Sequence, residues 1–203
     1  VPRLRETNLE SRRVGLGIMG WHDALLKMRI PYDAPEAIEL ANNFMKQFTE
    51  IAWTYSNELT NERATRSNAS VTTIAPTGTI SMIAGCSSGI EPVFAWESVK
   101  NVLDGERLIE RHPLRQQAIT EGWEKDDGSL WKAARDIPWR THVEMQAAFQ
   151  KHTTNSVSKT INIHRGASVK DVFDAYVLAW KMGCKGITVY RDGSRAGQVY
   201  EDV

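Results

Sequence analysis

The stretch best equipped for chemistry is Ala75-Pro76-Thr77-Gly78-Thr79-Ile80-Ser81. It follows Ser70-Val71-Thr72-Thr73-Ile74-Ala75, a short β-branched run that reads as a buried strand. Small residues let backbone N–H groups face a ligand, and Thr77, Thr79 and Ser81 add hydroxyl donors. A helix opening near Thr79 would add free first-turn N–H groups and a positive dipole end, which favour a phosphate without any net positive charge. A Ser/Thr-rich turn from strand to helix is also a common connection, so spacing alone leaves both readings open. Glu91, in Gly89-Ile90-Glu91-Pro92, can pair with a cation or hold its loop, and these two readings stay level.

Other chemistry-bearing types are less persuasive. Gly15-Leu16-Gly17-Ile18-Met19-Gly20 matches the dinucleotide fingerprint, which works only where a strand ends and a helix begins. The preceding Glu6 to Arg13 is too polar for a buried strand, so a helix with small residues for close packing is the plainer reading. Cys86 has no base or electropositive neighbour in sequence and reads as a small residue in a tight loop. Cys184 follows a helix end and reads the same way; the pair cannot form a CxxC site. His142 and His152 lie ten apart, and His22, His112 and His164 are isolated, so no metal spacing exists. No catalytic residue and no metal ligand is assigned.

The elements that must position these residues are partly legible. Residues 1–13 are polar without a period, and a helix is expected from about Arg12 to Lys27. Asp33-Ala34-Pro35-Glu36 resembles a helix start, with an Asp cap and an early Pro. Ile38, Ala41, Met45, Phe48, Ala52, Tyr55 and Leu59 then recur on one helix face. Gly85 to Pro92 is turn-forming, and Lys100 to Asp136 reads as short helices and loops, with a surface turn at Asp126-Asp127-Gly128-Ser129. Thr141-His142-Val143-Glu144 has capping-box spacing and opens a helix to about Lys151. Ser158 to Ile163 reads as a strand. Ser168 caps a helix whose Val169, Val172, Phe173, Tyr176 and Trp180 share a face, and Gly183 ends it. Gly186 to Tyr190 reads as the next strand, giving a right-handed βαβ unit with parallel strands.

The bulk numbers suit one sizeable domain or part of a larger one: 203 residues, 41% hydrophobic and 25% charged. Net charge is zero, which removes the electrostatic case for a nucleic acid polymer or an anionic membrane as partner. No apolar run reaches membrane-span length, and no secretory signal opens the chain. Two cysteines do not make a disulfide scaffold, so a cytoplasmic protein with free thiols is expected. The chain opens on Val1 rather than Met, as an excised, cleaved or trimmed piece would.

Together, four stretches in order resemble the large, catalytic chain of the ribonucleotide reductases. Arg13 to Gly20 resembles the family's glycine-rich helix, and Ala75 to Ser81 with Gly89 to Pro92 resembles its substrate phosphate loop and its continuation. Ser158 to Asn162 and Gly183 to Arg195 resemble its last barrel strands. The resemblance runs from about residue 12 to residue 198. It implies an α/β fold, this chain forming the second half of a ten-stranded α/β barrel of the ribonucleotide reductase type. It also implies that Pro76, Thr77, Gly78, Thr79, Ile80 and Ser81 bind substrate phosphates, with Gly89, Ile90 and Glu91 shaping the adjacent wall.

The wording Pro-Thr-Gly-Thr-Ile-Ser and Tyr-Arg-Asp-Gly-Ser-Arg is most similar to the adenosylcobalamin-dependent class. The class fed by a di-iron subunit carries a tyrosine pair near the last strand, whereas here Val189 precedes Tyr190. The resemblance implies thiyl-radical reduction of a ribonucleotide, with adenosylcobalamin as cofactor and a dithiol such as thioredoxin as reductant. The family's radical-cysteine loop and C-terminal cysteine pair have no counterpart in this sequence. Chemistry is therefore expected only with a complementary chain or N-terminal half. A non-catalytic assembly fragment that folds with a partner is the alternative, and an autonomous dinucleotide-dependent oxidoreductase rests on Gly15 to Gly20 alone.

Overall fold

The residues from Arg13 to Met19 run extended rather than helical, against expectation, and that decides the architecture. The computed structural model describes residues 2–63, 67–101, 107–123, 128–194 and 201–202. Val14 and Leu16 donate backbone N–H groups to Ser70 and Val71, and Thr73 donates to Leu16. Leu16 and Thr72 form a parallel bridge, as do Ile74 and Val157. Next comes a parallel pair, β3 (Thr160–Ile163) and β4 (Thr188–Arg191), in register from Thr160 opposite Thr188 to Ile163 opposite Arg191. Four chain segments thus lie side by side and parallel: 14–16, 70–74, 155–163 and 188–191.

Two glycines explain why the first of these segments is extended. A Cβ on Gly17 would lie 2.3 Å from the Thr73 carbonyl oxygen, and one on Gly15 would lie 2.6 Å from the Thr73 methyl. The fingerprint-like spacing is a close-approach device, as its small residues suggested, but between extended segments rather than helices.

Helices pack on this array. α1 (Pro2–Ser11) is the exception: it forms in the polar stretch that shows no period and is exposed from residue 3 to residue 10. α2 (Trp21–Lys27) follows Gly20, whose φ of 78° suits glycine. α3 (Pro35–Arg63) starts as the Asp33-Ala34-Pro35 signal predicts, although the Asp33 carboxylate accepts from Lys132 Nζ at 2.6 Å. Ala41, Met45 and Ala52 of its apolar face are buried, but Tyr55 and Leu59 at its far end are exposed. α6 (Trp139–Gln150) begins two residues before the capping-box spacing at Thr141, because Pro138 occupies the cap position. Its Met145, Ala148 and Phe149 join Trp21, Leu25 and Ile74 in the main core, where Trp21 meets Phe149 edge-on at 5.1 Å.

α7 (Val169–Lys181) starts at the predicted Ser168 cap, which forms a full capping box: Ser168 Oγ accepts from the Asp171 N–H, and the Asp171 carboxylate accepts from the Ser168 N–H. Its buried face is not the expected one. Ala175 and Ala179 pack on Val143, Ile161 and Ile163, with Val172 half-buried beside them. Val169, Phe173 and Trp180 face outward at 89%, 64% and 75% exposure.

In the stretch from about Lys100 to Asp136, expected as short helices and loops, a strand pair departs from the expectation while a short helix meets it. β1 (Glu97–Asn101) and β2 (Arg107–Arg111) pair antiparallel, and β1 also pairs with β5 (Glu201–Asp202). α5 (Pro113–Glu121) follows. These strands are rich in charge and lack the apolar alternation by which a strand is read. Asp126, Asp127 and Arg195, which entered the sequence expectations, lie outside the described residues.

Candidate functional site

The strand Ser70–Ala75 delivers the chain to α4 (Gly78–Ala84) through Thr77, which sits in the left-handed region at φ 50°. A threonine there is strained. Its hydroxyl oxygen accepts the Gly89 N–H at 2.7 Å, which ties the turn before α4 to the Gly89–Pro92 loop. Gly89 itself has φ 48°, and a Cβ on it would lie 2.9 Å from the Ala75 carbonyl oxygen. The two stretches read as one site in the sequence are therefore clasped together.

Ser81 is buried; its hydroxyl donates to the Gly78 carbonyl oxygen at 3.1 Å and lies 2.9 Å from Ser88 Oγ. Pro76, Thr79 and Ile80 are exposed on the turn and the outer side of α4. Ile90 is fully buried in the main core, and its carbonyl accepts the Tyr32 hydroxyl at 2.7 Å.

A cavity of about 820 Å³ opens beside this clasp. Gly78, Ser81 and Glu91 line it, together with Ser87, Ser88, His112, Thr160, Asn162 and Thr188 to Tyr190. β3 and β4 thus face the turn before α4 across a shared space. No Cβ contact within 4 Å would meet a side chain at Gly78, and its φ is not positive, so neither strain nor crowding calls for glycine there. The first-turn N–H groups of α4 lack partners within their own helix, as all such groups do.

The carboxylate on this wall is neutralised. Glu91 Oε2 accepts from Lys159 Nζ at 2.6 Å and Oε1 accepts from the Thr160 N–H at 2.5 Å. The Lys159 side chain is wholly buried. Burial lowers its pKa, and the Glu91 charge and hydrogen bond oppose that shift. Its ammonium also donates to His142 Nδ1 at 3.0 Å and to the Thr160 carbonyl at 3.1 Å. His142 Nε2 lies 2.9 Å from the Ala134 carbonyl, so Nε2 carries the proton and Nδ1 accepts. Burial, and then the Lys159 charge, holds this imidazole well below its ordinary pKa.

On the α2 side, the Asp23 carboxylate accepts the Ser87 N–H at 2.6 Å and stands 3.5 Å from His112 Nε2. Gly20 donates its N–H to the Ser87 carbonyl, so the glycine-rich segment supports the cavity wall. Cys86 lines the cavity, but burial, and then the Asp23 charge, pushes its thiol pKa up. That suits a protonated thiol rather than a nucleophile. Cys184 is half-buried, and burial raises its pKa too. Among the described residues no group of three His, Cys, Asp or Glu side chains gathers to hold a metal ion. No described helix is long and apolar enough to cross a membrane.

The sequence reading missed Lys159, His142, Asp23 and His112 at this site. A lysine flanking a short β-branched strand and isolated histidines carry no spacing signal; only folding brings them together.

The family model "Ribonucleotide reductase, barrel domain" matches residues 1–67 and 65–190. The chain belongs to the ribonucleotide reductase family. It is 38% identical over 236 residues to a vitamin B12-dependent ribonucleoside-diphosphate reductase of Thermoplasma acidophilum, covering 98% of this chain and 31% of that protein. A protein of the same description from Mycobacterium tuberculosis is 38% identical over 234 residues, covering 98% of this chain and 34% of its own length. The chain therefore spans about a third of the relatives' length. Both alignments are longer than its 203 residues, so the relatives carry residues within the matched region that it lacks. Among solved structures, an Actinobacillus ureae class Id ribonucleotide reductase alpha subunit superposes with a TM-score of 0.74 at 22% identity. That match covers 90% of this chain and 39% of the other, and it supports the α/β fold.

Proposed function

We propose that this chain supplies the substrate phosphate-binding loop of a ribonucleotide reductase that draws its radical from adenosylcobalamin. The observation that carries the reading is the meeting of Gly78, Ser81 and Glu91 with Thr160, Asn162 and Tyr190 around one cavity. The substrate's phosphates lie against the turn before α4, where the N–H groups of Gly78, Thr79 and Ile80 and the hydroxyls of Thr77 and Thr79 are the donors. Gly78 gives the anion open access to this backbone. Ser81 and Ser88 brace the turn from behind through their mutual hydrogen bond. Because Lys159 cancels the Glu91 charge, the wall does not repel an anion. Gly89, Ile90 and Glu91 act on the substrate through the position of this wall. The barrel is the ten-stranded type, with the four parallel segments belonging to its second half.

Vitamin B12 dependence comes from the names of the relatives. A corrin holds its cobalt through its own ring nitrogens, so this chain need supply no metal-ligand cluster, and none gathers among its described residues. When bound, the cofactor would supply the radical that starts the reaction; this chain alone is not expected to hold it, and the cysteine chemistry lies with the complementary half. This chain binds and orients the ribonucleotide there, and a dithiol provides the electrons.

Ribonucleotide reduction with adenosylcobalamin and a dithiol tests this, first with the chain alone and then with a polypeptide supplying the cysteine-loop half. Activity is expected only in the mixture, with the ribonucleotide KM raised by Gly78→Glu. Activity from the chain alone would overturn the incompleteness reading. The second reading, a non-catalytic assembly fragment, draws on the outward apolar face of α7 and gains if the properly assembled mixture is inactive.

A further inference from the structure

We infer that Lys159 is the positioning residue of the phosphate loop, holding the turn before α4 in place through Glu91; this rests on the phosphate-loop reading above. The path is continuous. Lys159 Nζ binds Glu91 Oε2, and the other carboxylate oxygen takes the N–H of Thr160 at the head of β3. Glu91 closes a turn by donating its N–H to the Ser88 carbonyl. Within that turn Gly89 donates to Thr77 Oγ1, and Thr77 is the left-handed residue that aims the first turn of α4. The far end of the path is anchored as well: His142 takes the third ammonium proton and is itself fixed to the Ala134 carbonyl. Ala134 in turn donates its N–H to the Val93 carbonyl, just past the loop.

Burying an ammonium is costly, and an apolar residue of similar size would pack here without that penalty. What an apolar residue cannot do is hold a carboxylate at a fixed point and cancel its charge beside an anion. Lys159 does both, because all three of its N–H groups have partners. Removing it leaves Glu91 held by the Thr160 N–H alone and facing the phosphate as an uncompensated negative charge.

The test uses the assembled reductase. Lys159→Met is expected to raise the ribonucleotide KM at least about tenfold and to weaken competitive inhibition by inorganic pyrophosphate in parallel. Maximal turnover and the KM for the dithiol should stay within about twofold of the parent. The double variant Lys159→Met with Glu91→Gln removes both charges and keeps an acceptor for the Thr160 N–H, so most of the KM increase should be recovered. A purely structural lysine would instead lower the active fraction, cutting turnover with both substrates while KM held, and the double variant would be no better. Unchanged ribonucleotide KM in Lys159→Met, alongside a raised KM in Gly78→Glu, overturns the positioning role alone. Unchanged KM in Gly78→Glu overturns the phosphate-loop reading itself.

Discussion

At the residue scale the buried imidazoles set an acid limit. His22 is fully buried, and burial, reinforced by the charges of His112 and Lys159, lowers its pKa to about 3. Its Nδ1 accepts the Val93 N–H at 2.8 Å, a contact that needs the neutral ring. An unfolded imidazole titrates near 6.5, so between pH 6.5 and 3 the unfolded chain holds a proton that the folded chain refuses. Stability is therefore full above pH 6.5 and falls as pH drops through that window, by about 1.4 kcal/mol per unit for each such histidine. Thermal melts of the assembled protein at pH 7.5, 6 and 5 should show this fall, and His22→Gln should flatten it. An unaltered slope in the variant would remove His22 from the account. The glycines give a second expectation. Gly17→Ala places a methyl 2.3 Å from the Thr73 carbonyl oxygen and should cost about 1–3 kcal/mol in a denaturant titration.

At the element scale α7 separates capping from packing. Ser168→Ala removes one acceptor and half of a reciprocal pair, so a loss of about 1 kcal/mol is expected in melting experiments. Trp180 lies 75% exposed, so Trp180→Lys should change stability by no more than about 0.5 kcal/mol. Ala179→Leu, on the face against β3, should cost several times more through overpacking. The apolar stripe Val169, Phe173, Tyr176 and Trp180 was legible in the sequence as a stripe. The buried face was not, because α7 packs closely on α6 and the small side chains of Ala175 and Ala179 fill the space beside Val143, Ile161 and Ile163. The antiparallel pair β1 and β2 was illegible for another reason: its charged residues gave no period to read.

At the scale of the whole molecule, apolar surface remains uncovered. A groove of about 550 Å³ runs between α3 and the 12–16 segment, walled by Phe48, Ile51, Tyr55 and Leu59 and by Val14 and Leu16. Ile51 and Tyr55 are 57% and 63% exposed there. Together with the outer face of α7, this is more apolar exposure than scattered surface residues supply. Sedimentation of the isolated chain is accordingly expected to give associated species and little monomer, with binding of an apolar dye that drops on addition of the complementary half. A dominant, dye-free monomer would count against the half-barrel assembly.

The sequence by itself determined what depends on neighbours along the chain. The start of α3, the Ser168 cap of α7 and the parallel β3–α7–β4 unit follow from local chemistry and order, and the grouping of Ala75–Ser81 with Gly89–Pro92 from the order of motifs that resembles the family. The tertiary structure alone decided what depends on distant approach. Residues 13–19 run extended because Gly17 admits the Thr73 carbonyl and Gly15 the Thr73 methyl, and Lys159 reaches Glu91 across 68 positions of sequence. A hydrogen bond between residues that far apart leaves no periodicity in either segment. Its partners become visible only when the chain has closed the loop between them.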